Sequence, residues 1–291
     1  MNINIAYLND SFLPMEEIHI SPDDRGFLFA DGIYEVVRWY PGFFYDLESH
    51  MERLKKGLKK ILITWKDADS FPAIAQKLIE NNNLTESNAL IYLQVTRGVA
   101  PRRHSFPSPA IPPTVFASAK SFTPESFDNE SGIGVLPGED IRWKKCNIKS
   151  IALLPNVLSY QSALEAGFSE FVFIRDDFFT ECSHSNIFFV VDDTLYTHPE
   201  SDYILSGITR KNVIRIAQKT GIKVIEEPMH KSRAEEITEI FITNTSGEIT
   251  PVIRLGKNLV GDGKPGPLTR ILKELFRSEI CMMKGSNGKK M

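Results

Sequence analysis

The sequence predicts an α/β protein built as two domains, on three observations. Its 291 residues exceed what one hydrophobic core usually serves. Apolar segments of period two alternate with segments at helical spacing along most of the chain. Near residues 121–131 the periodicity lapses into a polar, acidic stretch, preceded by Pro107, Pro109, Pro112 and Pro113, which is the composition of a linker. The predicted division is a small N-terminal domain over 1–120, the linker over 121–131, a larger C-terminal domain over 132–283, and a disordered polar tail over 284–291.

Taken in order, Ile3 to Leu8 and Phe12 to Pro14 flank the polar turn Asn9-Asp10 and predict a hairpin. Gly32 to Tyr40 sets Ile33, Val37 and Trp39 against Tyr34, Arg38 and Tyr40, a strand with two usable faces. Leu47, Met51, Leu54, Leu58 and Ile61 recur at helical spacing, with Glu48, Lys55, Lys56 and Lys59 opposite, and predict an amphipathic helix. A second helix follows over Phe71 to Asn82, then a strand over Leu90 to Thr96. The second half predicts short strands at Phe171 to Ile174, Ile187 to Val191, Leu195 to Thr197, Ile240 to Thr243 and Thr250 to Ile253. Helices are predicted at Leu153 to Glu165, Thr209 to Lys219 and Leu268 to Glu279. Gly221 stands where a left-handed C-cap is expected.

The bulk properties narrow the function. A hydrophobic content of 42% and a charged content of 24% are those of a soluble globular protein. The formal net charge of -3 argues against a general nucleic-acid binder, which needs a basic face. No stretch is apolar enough to span a bilayer and Met1-Asn2-Ile3-Asn4 has no signal-peptide character, so a cytoplasmic protein is expected. Cys146, Cys182 and Cys281 are odd in number and widely spaced, which predicts free thiols. The six histidines show no metal-binding spacing.

Several stretches carry candidate chemistry, each beside a simpler reading. Cys146-Asn147-Ile148-Lys149-Ser150 places a lysine before an apolar run; a lysine partly withdrawn from water becomes a nucleophilic amine that a carbonyl cofactor can capture. Ser206-Gly207-Ile208-Thr209-Arg210 opens a helix, either as an ordinary Ser or Thr cap or as a phosphate-binding N-terminus. Thr243-Asn244-Thr245-Ser246-Gly247 reads as a hydroxyl-rich turn or a second phosphate contact. Periodicity makes Arg53 a surface residue, Glu181 a turn carboxylate, and Arg102-Arg103-His104 a solvated basic loop. Gly261-Asp262-Gly263-Lys264-Pro265-Gly266 formally matches a dinucleotide fingerprint. Too little chain remains after it for the rest of that unit, so it is read as a tight loop.

In order along the chain, these pieces resemble the fold-type IV pyridoxal-phosphate enzymes, and within them the D-amino-acid aminotransferases. The matching stretches are Asp24-Arg25-Gly26 with Asp31-Gly32-Ile33-Tyr34-Glu35-Val36, His50-Met51-Glu52-Arg53-Leu54, and Gln94-Val95-Thr96-Arg97-Gly98 running into Pro101-Arg102-Arg103-His104. They continue with Asp140-Ile141-Arg142-Trp143, Glu181-Cys182-Ser183-His184-Ser185-Asn186, Gly207-Ile208-Thr209-Arg210 and Glu248-Ile249-Thr250-Pro251-Val252. The resemblance implies pyridoxal 5'-phosphate as cofactor, with Lys149 as its Schiff-base residue and proton-transfer base and Glu181 as the carboxylate facing the pyridine nitrogen. It implies phosphate contacts from Arg53, Ile208, Thr209 and Thr245. Tyr34, Arg102 and His104 correspond to the group that holds the substrate carboxylate, the last two reaching in from a neighbouring subunit, so a homodimer is implied. The implied fold is two α/β domains with the cofactor between them.

The implied reaction is ping-pong transamination between D-amino acids (D-alanine, D-glutamate) and 2-oxo acids (2-oxoglutarate, pyruvate). The Pro-Arg-x-His run at Pro101 to His104 supports the D-enantiomer, and Leu154 stands where relatives acting on L-branched-chain amino acids commonly carry a tyrosine. The rival readings are an elimination of the aminodeoxychorismate-lyase type, an L-branched-chain aminotransferase, and a non-catalytic cofactor-binding protein; the last would usually have lost Lys149 or Glu181. The chain departs from the family pattern at Cys182 and His184, and at Asn244 and Ser246. Arg103 adds charge that would favour acidic substrates.

Overall fold

The computed structural model describes residues 4–123 and 131–287. They fall into two compact units. One gathers residues 4–123 and 148–152 with the helix end from Lys284, and the other holds residues 131–147 and 153–283. Most of the linker predicted at 121–131 lies outside the described residues.

Among the described residues, the first unit is a six-stranded antiparallel sheet with three α-helices. β1 (Ile5–Leu8) and β2 (Ser11–Pro14) form the expected hairpin, with Asn9 and Asp10 both at positive φ in its turn. A short helix α1 (Arg25–Phe29), capped by the Asp24 side chain, leads into β3 (Gly32–Tyr40). β4 (Phe43–Phe44), α2 (Leu47–Lys60), α3 (Phe71–Asn81), β5 (Ala89–Thr96) and β6 (Thr114–Ser121) complete it, in the strand order β2-β1-β6-β5-β3-β4. The apolar faces of α2 and α3 close over Ile33, Val37, Ile91, Leu93, Val95 and Val115 to make one core.

The second unit is built on a mixed sheet. Its elements are β7 (Ile133–Glu139), α4 (Leu154–Glu165), β8 (Glu170–Arg175), β9 (Phe178–Cys182), β10 (Asn186–Val191), β11 (Thr194–Thr197) and α5 (Ile208–Lys219). They continue with β12 (Val224–Glu226), β13 (Met229–His230), β14 (Glu239–Asn244), β15 (Glu248–Leu255), β16 (Asn258–Leu259) and α6 (Pro267–Asn287). The order is β12-β11-β10-β14-β15-β7-β8-β9-β13, with β16 paired to β15. Gly221 follows α5 at φ +79°, the left-handed position expected of it. The glycine-rich run at 261–266 lies between β16 and α6 and is a turn.

Two boundaries differ from the sequence expectation. Residues 148–152, placed with the C-terminal domain by chain order, pack with the first unit, because the Tyr34 N–H donates to the Lys149 carbonyl (3.0 Å) and the Ile151 N–H to the Gly32 carbonyl (3.2 Å). The tail expected to be disordered from Lys284 continues α6 as far as Asn287. Each residue added to an existing helix brings a hydrogen bond without a new nucleus, so polar residues can extend it.

Candidate active site

In the first unit the catalytic candidates gather at the start of β3. The antiparallel bridge between Ile33 and Ser150 holds Lys149 in extended chain beside the strand, and its Nζ lies 4.2 Å from the centroid of the Tyr34 ring. That ring also stacks on Tyr92 at 5.8 Å, and burial, with Tyr34 beside it, pushes the Tyr92 hydroxyl up to about 12. Tyr34 thus has a fixed plane and Lys149 a fixed neighbour.

One residue along β3, Glu35 points into the core with a relative exposure of 1%. There it meets α2: Arg53 Nε donates to Oε1 and Arg53 Nη2 to Oε2, both at 2.8 Å, while His50 Nδ1 lies 2.9 Å from Oε2. Burial alone would raise the Glu35 carboxyl; the Arg53 guanidinium and His50 overcome it and hold the group well below the usual carboxylate range. Burial pushes the His50 imidazole down in spite of Glu35, and the charges of Arg53 and Lys149 act in the same direction. Because an ionised Glu35 can only accept, His50 Nδ1 is the donor in that contact. Arg53 is accordingly no surface arginine: a planar carboxylate fork fixes its guanidinium.

Arg102 and His104 are exposed on the loop between β5 and β6. Both meet one ring, that of Phe29 at the end of α1: the Arg102 guanidinium lies 5.3 Å from its centroid and the His104 ring 5.6 Å.

The second unit holds the acidic candidate. Glu181 is a strand residue of β9, 5% exposed, rather than a turn carboxylate. Arg142 Nη1 donates to Oε1 at 2.5 Å, and Asn186 Nδ2 (3.0 Å) and the Leu205 N–H (2.9 Å) donate to Oε2. Burial pushes the Glu181 carboxyl up, and Arg142 and the Leu205 N–H restrain that rise. Arg142 is held in turn by Asp140 through Nε and Nη2, each at 2.9 Å, and by stacking 4.1 Å from the centroid of Phe173.

Ile208 and Thr209 form the first turn of α5, both buried. The residue before them is Gly207, and no side chain caps the helix; Ser206 Oγ donates to Glu200 instead. The cap reading of this motif is thus not what the structure shows. Gly207 is required where it is, because a Cβ there would lie 2.0 Å from Asn186 Oδ1. Thr245 sits in the β14–β15 turn, where Asn244 accepts from the Gly247 N–H (2.6 Å) and donates to Ser185 Oγ (2.9 Å). Ser185 Oγ donates to the buried Glu170 at 3.2 Å, which also receives the Ser183 hydroxyl and lies 3.0 Å from His184 Nδ1. His184 is therefore the half-exposed end of a hydrogen-bonded group centred on the buried Glu170.

Sequence reasoning assigned no role to Glu35, His50, Arg142, Asp140 or Asn186. Two of them carried a signal. Glu35 lies between Ile33 and Val37 on the apolar face of β3, and His50 sits four residues before Leu54 on the apolar face of α2.

The sequence matches the Amino-transferase class IV family over residues 32–255. The chain belongs to that family. It is 39% identical over 276 residues to a D-alanine aminotransferase of Staphylococcus haemolyticus, covering 94% of this chain and 97% of that one. It is 38% identical over 281 residues to a D-alanine aminotransferase of Listeria monocytogenes serotype 4b, covering 96% of each. Among solved structures, the branched-chain amino acid aminotransferase from Escherichia coli superposes with a TM-score of 0.86 at 23% identity, over 94% of this chain and 93% of that one. The branched-chain amino acid aminotransferase from Thermobaculum terrenum, in its PLP-form, gives 0.84 at 22% identity, over 96% and 94%. These two likenesses establish the fold. Among the described residues no helix is long and apolar enough to cross a membrane, and no grouping of His, Cys, Asp and Glu is placed to hold a metal ion.

Proposed function

We propose that this protein is a pyridoxal-phosphate-dependent D-amino-acid aminotransferase that exchanges an amino group between D-alanine or D-glutamate and 2-oxo acids. The observation that carries the chemistry is Glu181, a strand carboxylate buried among fixed donors. Arg142 Nη1, Asn186 Nδ2 and the Leu205 N–H hold it in one orientation as an acceptor, which suits a group that keeps a ring nitrogen protonated. The D-alanine preference is supported by relatives 38–39% identical over nearly the whole chain.

The donor set fits the cofactor. The uncapped first turn of α5, with Ile208 and Thr209, suits a phosphate, as does the held guanidinium of Arg53, and Thr245 would join them. When bound, pyridoxal phosphate supplies an aldehyde that captures amines and a ring that absorbs the electrons left at the substrate Cα. Lys149 would hold the cofactor at rest and, once displaced by the substrate amine, take up the Cα proton at Nζ. The Tyr34 face beside Nζ orients that amine. Glu181 would face the ring nitrogen as a carboxylate and keep a proton on that nitrogen, and Arg142 fixes the direction of the carboxylate. Tyr34, Arg102 and His104 would bind the substrate carboxylate, with Arg102 and His104 supplied by a second copy in a cytoplasmic homodimer. The first 2-oxo acid must leave before the second can enter the same groups, so kinetics would be ping-pong.

Lys149→Ala tests the reading. A folded protein with no transamination above background is expected; wild-type turnover in that variant would remove the basis of the assignment.

A further inference from the structure

The loop that carries Arg102 and His104 is gripped from below by two buried arginines, and a single carboxylate holds both. Asp31, in the link between α1 and β3, accepts from Arg25 Nε at 2.9 Å and from Arg97 Nε and Nη2 at 2.7 and 2.9 Å. Each arginine then reaches the loop by a different route. Arg25 Nη1 donates to the carbonyls of Arg103 (2.6 Å) and Ser105 (3.3 Å), the residues that alternate with Arg102 and His104. Its guanidinium also lies 4.7 Å from the centroid of Phe29, the ring that Arg102 and His104 share. Arg97 lies 3.6 Å from the centroid of the exposed Phe106 ring and is anchored from behind by the carbonyls of Ile61 and Leu62. The base of the loop is tied as well, by the bridge between Asp24 and Val99 and by the Arg25 N–H on the Gly98 carbonyl at 2.9 Å.

We propose that Asp31 is the positioning residue for substrate-carboxylate recognition. By orienting Arg25 and Arg97 it sets the backbone of residues 103–106, and so the place at which Arg102 and His104 are presented. Asp31 touches neither substrate nor cofactor. It lowers the cost of ordering a loop that would otherwise have to be fixed when the substrate binds. This rests on the substrate-binding role given above to Arg102 and His104. The loop is exposed along residues 101–106, and the two buried arginines supply the rigidity that its own packing does not.

The test uses the holoenzyme and Asp31→Asn, which keeps the shape and removes the charge. Trypsin cleavage after Arg102 and Arg103 in the native protein should speed up about tenfold. The KM for D-alanine and for 2-oxoglutarate should rise about tenfold or more, with kcat within about threefold and the cofactor's visible band unchanged. If Asp31→Asn does not fold, Phe106→Ala, at an exposed ring, should give the same pattern at about threefold amplitude. Unchanged cleavage with unchanged KM, or a fall in kcat at constant KM, would overturn the proposal while leaving the aminotransferase reading intact. A wild-type protein that does not consume D-alanine would overturn both.

Discussion

Replacing Arg142 with methionine should be among the more damaging single changes in the second unit, for reasons that can be worked through contact by contact. The side chain is 4% exposed and joins two carboxylates, Asp140 at 0% and Glu181 at 7%. Methionine restores volume against Phe173 but leaves both acids without this partner. Asp140 keeps Arg175 Nη2 at 3.0 Å, and Glu181 keeps only the neutral donors Asn186 Nδ2 and the Leu205 N–H. Breaking a buried ion pair from one side costs about 3–5 kcal/mol, and the contacts that remain place this case near the lower end. For units of this size that corresponds to a fall in Tm of roughly 6–12 °C. The pH dependence follows from the raised carboxyl of Glu181. An acid whose folded pKa lies above its unfolded one, about 4.5, weakens the fold increasingly as pH rises from that value through the folded pKa. Without Arg142 the folded pKa rises further, so the variant's deficit should be larger at pH 8 than at pH 5. Scanning calorimetry on cofactor-stripped protein at the two pH values measures this. A deficit under about 1 kcal/mol at pH 8, or one that grows on acidification, would show that Arg142 is not what makes a buried Glu181 tolerable.

Two further changes address the other supports of the site. Glu35→Gln should cost about 3 kcal/mol at pH 7 and weaken cofactor binding, because Arg53 loses its carboxylate fork. Since the folded pKa of Glu35 is depressed, its contribution is present above about 4.5 and disappears as pH falls below it, so urea curves for wild type and variant should converge in acid. Gly207→Ala should drive Asn186 away from Glu181 and the Leu205 carbonyl at a cost of about 1–3 kcal/mol. It should also weaken pyridoxal-phosphate affinity by about tenfold or more in a fluorescence titration of the stripped protein, and unchanged affinity would show that the first turn of α5 is not the phosphate seat.

The elements that could be read from the sequence were those with a strong period. α2 runs over Leu47–Lys60 and β3 over Gly32–Tyr40 because each presents one continuous apolar face, and the residue spacing says so. β6 escaped notice because prolines crowd the chain before it and its inward residues include Ala117 and Ala119, small enough to sit between two neighbours yet weak as a pattern. β7 escaped because Gly134, Pro137 and Gly138 interrupt its apolar pattern, although a parallel partner on each side makes it a central strand. α1 is too short to show a period.

The site divides along the same line. Lys149, Glu181 and the helix start at Ile208 and Thr209 stood out through motif order. Their supports did not, because a buried charge network is specified by residues far apart in the chain: Asp31 meets Arg97, and Arg142 meets Glu181, only after the sheets form. Arg53 shows the limit from the other side. Its helical position taken alone made it a surface residue, and the partner that draws it inward lies on another element.

If Lys149 and Glu181 serve a D-specific transamination, the visible absorbance of the loaded protein answers to D-amino acids alone. The protein, loaded with pyridoxal phosphate, is titrated with D-alanine and separately with L-leucine while its visible band is followed. Loss of the band with D-alanine alone, restored by 2-oxoglutarate, is the predicted result. Loss with L-leucine alone would contradict the handedness assigned to Arg102 and His104, and the absence of any band after loading would contradict the role of Lys149.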